Sequence, residues 1–104
     1  MDVKLKRTGL DGLYVAAVGR LDLDNAVEYG SKIKNFIEDC EDPIIEVTLD
    51  FSEITFISSF GLKVILELYK QLQVQSGVIK IKSISEQLKN SFKMVGFDKF
   101  LVFE

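Results

Sequence analysis

The sequence of 104 residues contains no histidine, and it has a single cysteine, Cys40, and a single proline, Pro43. Without histidine, the chain lacks the base of Ser-His-Asp and Cys-His catalysis, the usual zinc ligand and the side chain that titrates near neutral pH. One cysteine forms neither an intramolecular disulfide nor a multi-cysteine metal site. Few enzyme classes remain, so the composition favours a protein that binds a partner and has no catalytic residues, metal site or cofactor.

Long apolar runs and phosphate-binding loops are also absent. The first ten residues, MDVKLKRTGL, have no apolar segment of the signal-peptide kind, and no run approaches the ~18–20 apolar residues that a membrane span needs. There is no G-x-x-x-x-G-K and no G-x-G-x-x-G motif. We therefore expect a soluble cytoplasmic protein without a membrane span or a nucleotide loop of its own.

Positive charge is in slight deficit. The chain has 13 Lys and Arg against 16 Asp and Glu, a net charge of −3, which argues against nucleic acid as the main partner. Residues 1–52 carry 6 positive and 11 negative side chains, whereas residues 53–104 carry 7 and 5. This asymmetry fits either two solvated faces of different sign or a surface that orients a charged partner.

The hydrophobic pattern predicts strands that alternate with helices. Period-2 and apolar runs predict strands at residues 2–8, 13–18, 44–51 and 78–82, and 3.6-residue periodicity predicts helices over about 25–40, 62–74 and 85–95. Residues 97–103 form a short final strand or tail. The order β-β-α-β-α-β-α predicts one α/β domain over residues 1–104, with a mixed sheet covered by helices.

Local signals refine this order. The continuous apolar run Leu13–Val18 predicts a strand that is buried on both faces. Gly19–Leu23 predicts a connection, and Asn25 followed by Glu28 predicts the start of the first helix. In the strand over 44–51, we expect Ile45 to face inward.

The second half gives two further signals. Lys80 and Lys82 alternate with isoleucines, which is typical of a partly exposed or edge strand. The last helix is expected to bury Leu88, Phe92 and Val95 and to stop at Gly96, with Ser83 or Ser85 as its cap.

The segment Phe51–Leu62 (FSEITFISSFGL) joins a strand end to a helix start. Ser58 and Ser59 lie where this helix begins, and the simplest interpretation is that one of them is the N-cap. A hydroxyl here is also well placed for phosphorylation, because a phosphate of about −2 charge would face free backbone amides and the positive end of the helix dipole. Gly61 leaves space beside that hydroxyl for another protein to approach.

The stretch LDFSEITFISSFGLKVILELYKQL resembles the signature of STAS-domain proteins, specifically the bacterial anti-sigma factor antagonists. In that family a strand ending in Asp is followed by a short loop, the motif Asp-Ser-Ser/Ala-Gly-Leu and an apolar helix. Val18–Asp22 is similar to the family's G-x-hydrophobic-D segment, and Val95–Phe100 is similar to its C-terminal segment. The three motifs occur in family order along essentially the whole chain, so the resemblance implies a STAS-type fold.

The resemblance implies partner switching. In the family, the unphosphorylated antagonist binds an anti-sigma factor that is also a GHKL-type serine kinase, which frees a sigma factor for transcription. The kinase, with its own ATP and magnesium, phosphorylates the antagonist, the pair dissociates, and a serine phosphatase restores the cycle. Alignment on Phe56 and Gly61 places the implied phosphoacceptor at Ser59. The partner-binding surface implied by the resemblance comprises Gly19, Arg20, Asp22, Ser58, Ser59, Phe60, Gly61 and Leu62.

Two residues depart from the family pattern. Ser58 replaces the aspartate before the acceptor, which makes Ser58 a rival phosphoacceptor. Phe60 is bulky where the family has a small residue, which indicates an altered choice of partner. Both departures also fit a STAS domain that acts as an adaptor or scaffold, in a stress-signalling or lipid-transport complex, without a phosphorylation cycle.

Overall fold

A five-stranded mixed sheet and three helices organise the chain, as seen in a computed structural model that describes residues 1–104. The strands are β1 (Val3–Thr8), β2 (Gly12–Ala17), β3 (Gly19–Leu21), β4 (Glu46–Asp50), β5 (Ile54–Ile57), β6 (Val78–Lys82) and β7 (Val102–Phe103). The helices are α1 (Leu23–Asp39), α2 (Ser59–Gln73) and α3 (Glu86–Met94), followed by a 3-10 turn (Phe97–Lys99). The main sheet has the order β1-β2-β4-β6-β7, antiparallel only between β1 and β2. This architecture confirms the predicted α/β fold.

The core lies on one face of the main sheet. Leu13 of β2 is in register with Val47 of β4, which is in register with Ile79 of β6, and all three are fully buried. Because side chains alternate along a strand, these residues and their i+2 neighbours share one face. The three helices pack their apolar stripes onto it, with buried side chains that include Tyr29, Ile33, Ile65, Leu72 and Phe92.

The opposite face of the sheet has no helix layer. Tyr14 and Ala16 of β2 are only half-buried there, and Val18 beyond the strand is 63% exposed. The prediction that β2 is buried on both faces is therefore wrong. The apolar run is misleading because tyrosine keeps a polar hydroxyl, which bonds to Asp50, and alanine is small enough to tolerate partial exposure.

Two short strands were not predicted. Gly19–Leu21, expected to be a connection, is β3, and it pairs in parallel with β5 in a separate two-stranded sheet. With three and four residues, these strands are too short for a period-2 pattern to be read from the sequence.

Three element boundaries also differ from expectation. The N-cap of α1 is Asp22, which has an extended backbone, while Asn25 is helical and donates its amide to the Asp22 carboxylate at 3.1 Å. Ile45 is exposed and Ile44 is fully buried, because the chain enters β4 only at Glu46. Helix α2 begins at Ser59, three residues before the predicted start.

The last part of the chain adds strands β6 and β7 to the open main sheet. β7 pairs with β6, so of the two alternatives predicted for β6 it is a partly exposed strand and not an edge strand. Lys80 of β6 forms ion pairs with Glu46 (3.0 Å) and Glu104 (3.6 Å), and these charges raise the pKa of Lys80.

Helix α3 is capped by Ser85 and ends before Gly96, whose φ is +78°. Val95 is half-exposed at the helix end and does not extend the buried stripe. None of the helices is both long and apolar enough to cross a bilayer.

Candidate functional site

The pairing of β3 with β5 brings the two predicted partner-binding segments together. Leu21 is in register with Ile57, and each strand is followed directly by a helix, α1 after β3 and α2 after β5. Because the strands are parallel, the N-termini of the two helices lie side by side. We call residues 19–25 and 54–62 the paired junction.

Ser58 is the N-cap of α2, and its hydroxyl group both donates and accepts a hydrogen bond. The Oγ atom accepts a hydrogen bond from the amide of Gly61 and donates one to the carbonyl oxygen of Leu21, each at 3.0 Å. The Ser58 amide donates to the same carbonyl at 3.0 Å. Ser58 therefore holds the start of α2 and ties it to the end of β3, and a phosphate on this oxygen would remove the proton that it donates to Leu21.

Ser59 is the first residue of α2, and it differs from Ser58 in its exposure to solvent and in its hydrogen bonding. Its side chain is exposed, and its hydroxyl takes no part in the hydrogen bonds of the paired junction. The first turn of α2 contains no acidic residue. Ser59 thus presents a free hydroxyl at a helix N-terminus whose positive dipole end is not neutralised by a carboxylate.

Gly61 and Leu62 lie beneath this surface. A Cβ atom on Gly61 would approach the carbonyl oxygen of Leu21 to 2.9 Å and a side-chain carbon of Ile57 to 2.7 Å, so glycine is required for the close packing of α2 on β3. Leu62 belongs to the hydrophobic core. The resemblance assigns both residues to the partner-binding surface. Both are buried in the free protein and support the exposed first turn of α2 from below, and their contact with a partner stays a prediction.

Phe60 lies at the rim of a groove between α1 and α2. Its ring is half-buried, and the groove has a volume of about 530 Å³. The walls come from both helices and include Val27, Gly30, Lys34, Val64 and Leu68. This groove was not predicted, because it depends on how closely two helices that are distant in sequence approach each other.

The β3 side of the paired junction contributes Gly19, Arg20 and Asp22. The guanidinium group of Arg20 lies 4.1 Å from the ring centroid of Phe56, and Arg20 is exposed. Gly19 has φ of +119°, a conformation that favours glycine. The Asp22 carboxylate caps α1, so its first role is structural. Arg20 is therefore the residue of this segment that is most available to a partner.

A further carboxylate, Asp50, shapes the turn that leads into β5. It accepts hydrogen bonds from the hydroxyl of Tyr14 and, at 2.9 Å, from the amide of Ser52. Burial acts to raise the pKa of Asp50, but these bonds and the charge of Lys82 outweigh it and lower that pKa, while the Tyr14 pKa is raised by the shared bond. Asp50 does not belong to any cluster of three or more cysteine or acidic side chains that could hold a metal ion.

Comparisons with known proteins agree with this fold. The family model of the STAS domain matches residues 3–104. The fold is similar to the anti-sigma factor antagonist SpoIIAA in its unphosphorylated form (TM-score 0.83, 16% identity, 99% of this chain and 88% of that chain). It is also similar to the Bacillus cell fate determinant SpoIIAA in the phosphorylated form (TM-score 0.75, 16% identity, 99% and 91%). A sulfate transporter family protein from Wolinella succinogenes matches as well (TM-score 0.76, 16% identity, 94% and 80%). At these identities the likeness shows the fold alone.

Proposed function

The chain belongs to the STAS-domain family, and from this premise we propose that it is a bacterial, cytoplasmic anti-sigma factor antagonist regulated at Ser59. Its unphosphorylated form binds an anti-sigma factor that is a GHKL-type serine kinase, and this frees a sigma factor. Phosphorylation of Ser59 releases the kinase, and a serine phosphatase regenerates the binding form. The protein acts by binding and has no catalytic residue or cofactor of its own.

The observation that carries this proposal is the contrast between the two serines. A hydroxyl that attacks the γ-phosphate of ATP must be free to approach it, and the Ser58 hydroxyl would first have to give up two hydrogen bonds of 3.0 Å. The exposed Ser59 hydroxyl has no bond in the paired junction to give up. This supports Ser59, and not its rival Ser58, as the acceptor.

Release of the kinase follows from local electrostatics. A phosphate on Ser59 adds nearly two negative charges to the surface that meets the kinase, where it is desolvated and repels the bound nucleotide. A loss of about 3 kcal/mol in binding free energy lowers affinity on the order of a hundredfold. Because a helix N-terminus favours a negative charge, the fold itself is not disrupted.

A second function is supported by the likeness to a sulfate transporter family protein, which reaches a TM-score of 0.76. In this alternative the chain is a STAS adaptor or scaffold, in a transport or stress-signalling complex. Ser59 would then be unmodified, and the groove and Arg20 would serve a constant partner.

The experiment that decides between them is phosphorylation in vitro. The purified protein is incubated with ATP and, in turn, with each GHKL-type serine kinase of its source organism, and the peptide containing Ser58 and Ser59 is sequenced by mass spectrometry. We expect phosphate on Ser59 with one kinase, none in Ser59→Ala, and at most a slower rate in Ser58→Ala. Binding of the unmodified Ser59→Ala variant to that kinase should be retained, because only a hydroxyl is lost. Phosphate on Ser58 would overturn the assignment, and no phosphate with any kinase would favour the adaptor.

A further inference from the structure

The groove between α1 and α2 begins at the residue that follows Ser59. Phe60 forms its end, and Val27 on α1 leaves 49% of its surface exposed there. Gly30 has no side chain, and this allows Val64 of α2 to pack against the backbone of α1. An added Cβ at Gly30 would lie 2.5 Å from a methyl carbon of Val64. The two helices thus meet at a glycine, and a strip of apolar surface is left open to solvent beside the acceptor serine.

The charges around this strip are balanced and unpaired. Lys34 and Glu38 on α1 face the groove together with Glu67 and Lys70 on α2. None of the four takes part in the ion pairs of the protein. With two charges of each sign, the rim does not select a strongly acidic or basic partner, so the chemistry of the groove is set by its apolar walls.

We infer that this groove receives an apolar side chain, aliphatic or aromatic, from the anti-sigma factor kinase, and that it determines which kinase the protein binds. We call it the anchor groove, lined by Val27, Gly30, Lys34, Phe60, Val64 and Leu68. The inference rests on the proposed function and deepens it, because it names the contact that precedes phosphorylation.

Continuity with the acceptor identifies the occupant. A kinase whose active site reaches the Ser59 hydroxyl must cover the surface around it, and a stable protein interface covers about 800 Å² on each partner. Phe60 directly follows Ser59 and forms the near end of the groove, so the groove lies within that area. Apolar side chains that fill a pocket near the centre of an interface contribute most of its binding energy. The kinase would gain affinity from the groove and perform chemistry next to it.

The test compares two valine-to-glutamate variants. Val27→Glu places a charge in the anchor groove, whereas Val74→Glu places the same charge at the far end of α2, about 20 Å from Ser59 along the helix. Val74 is 87% exposed and does not line the groove. Both proteins should unfold close to the wild-type temperature, because neither valine is buried.

We expect Val27→Glu to weaken binding of the kinase that modifies Ser59 at least tenfold and to raise the KM of phosphorylation accordingly. Its kcat should stay within about twofold, since the acceptor is untouched, and Val74→Glu should match the wild type in every parameter. Phe60→Ala, which removes the end wall, should weaken binding about tenfold. A photo-crosslinking amino acid at position 34 should capture the kinase, and one at position 74 should not.

The outcomes separate the two proposals. If the wild type receives no phosphate on Ser59, the proposed function fails and the inference falls with it. If the wild type is phosphorylated and Val27→Glu binds the kinase normally with an unchanged KM, the inference alone fails. It also fails if sedimentation shows a wild-type dimer that Val27→Glu abolishes, because the occupant would then be a second copy of this chain.

Discussion

The two halves of the paired junction share one backbone plan and differ in their charge. In each half a buried residue, Leu21 or Ile57, ends a strand, and the next residue caps a helix. In the α1 half the amide of Asn25 donates to the carboxylate of the cap at 3.1 Å, and in the α2 half the equivalent amide donates to a hydroxyl at 3.0 Å. The fold therefore presents two similar helix N-termini side by side.

Their chemistry sets them apart. The start of α1 carries the Asp22 carboxylate and a second acidic residue, Asp24, in its first turn. The start of α2 has the neutral cap Ser58 and no acidic residue in its first turn. Carboxylates already neutralise the positive dipole end of α1, whereas that of α2 is available to an added anion. Charge, and not backbone geometry, makes the α2 half the place where a phosphate is favourable.

Gly61 and Asn25 occupy equivalent positions in the two halves. Substituting each by alanine should give the largest difference between the halves in the free energy of unfolding. We expect Gly61→Ala to lower the free energy of unfolding by about 1–3 kcal/mol, because the new Cβ meets a backbone carbonyl that cannot move away. Asn25→Ala removes only a bond of 2.9 Å from its side chain to the carbonyl of Arg20 and should cost about 0.5–1 kcal/mol. Urea denaturation of the two variants measures the difference, and equal losses would contradict it.

The caps provide the next comparison. Ser58→Ala should destabilise the protein by about 1–2 kcal/mol, because it removes both the cap and the tie to Leu21. Asp22→Ala removes a cap alone and should cost about 1 kcal/mol. Ser59→Ala is the control, and its effect should lie within about 0.5 kcal/mol. A loss in Ser59→Ala as large as that in Ser58→Ala would contradict the assignment of one bonded and one free hydroxyl.

The sequence predicts the order of the long elements well, since their apolar residues repeat with a clear period over five or more positions. Val78–Lys82 is an example, and it is found as predicted. The short strands escape prediction because three or four residues carry no period. Asp22 escapes as a cap because the choice between it and Asn25 depends on the backbone conformation at Asp22, which is extended.

In the candidate site, too, one part can be predicted from the sequence and another part depends on the fold. The motif containing Ser58 and Ser59 can be located from the sequence, but the sequence does not say which hydroxyl is bonded and which is free. That distinction comes from the carbonyl of Leu21, which lies 37 residues away and reaches Ser58 only through the pairing of β3 with β5. The groove at Phe60 is missed for a similar reason, because it forms only where α1 and α2 meet.

Phosphorylation should sharpen the difference in charge between the halves. We expect phosphate on Ser59 to stabilise the fold by about 0.5–2 kcal/mol at low ionic strength, since it compensates the dipole of α2. In Ser58→Asp, the start of α2 has an acidic cap like that of α1, and the gain from the phosphate should shrink or reverse. Thermal unfolding of each protein with and without phosphate measures this. A phosphate that destabilises the wild type would contradict the comparison.

The smallest effect should be a change in backbone amide chemical shifts on phosphorylation. We expect it to be confined to residues 58–62 and, across the paired junction, to residues 19–22. The segments are coupled because Ser58 bonds to the Leu21 carbonyl through both its amide and its hydroxyl. The strands of the main sheet should keep their shifts, because the modified residue is exposed and does not belong to the hydrophobic core.

Ser59→Ala treated with the same kinase and ATP is the matched control, and its spectrum should not change. Shifts that spread through β2, β4 and β6 would mean that the phosphate rearranges the fold and that the kinase is lost through a change of shape. Shifts limited to the paired junction, together with a fall in affinity of about a hundredfold, would mean that the charge itself blocks the interface. The second result is the one expected, because a helix start that lacks a carboxylate accepts the phosphate without having to move.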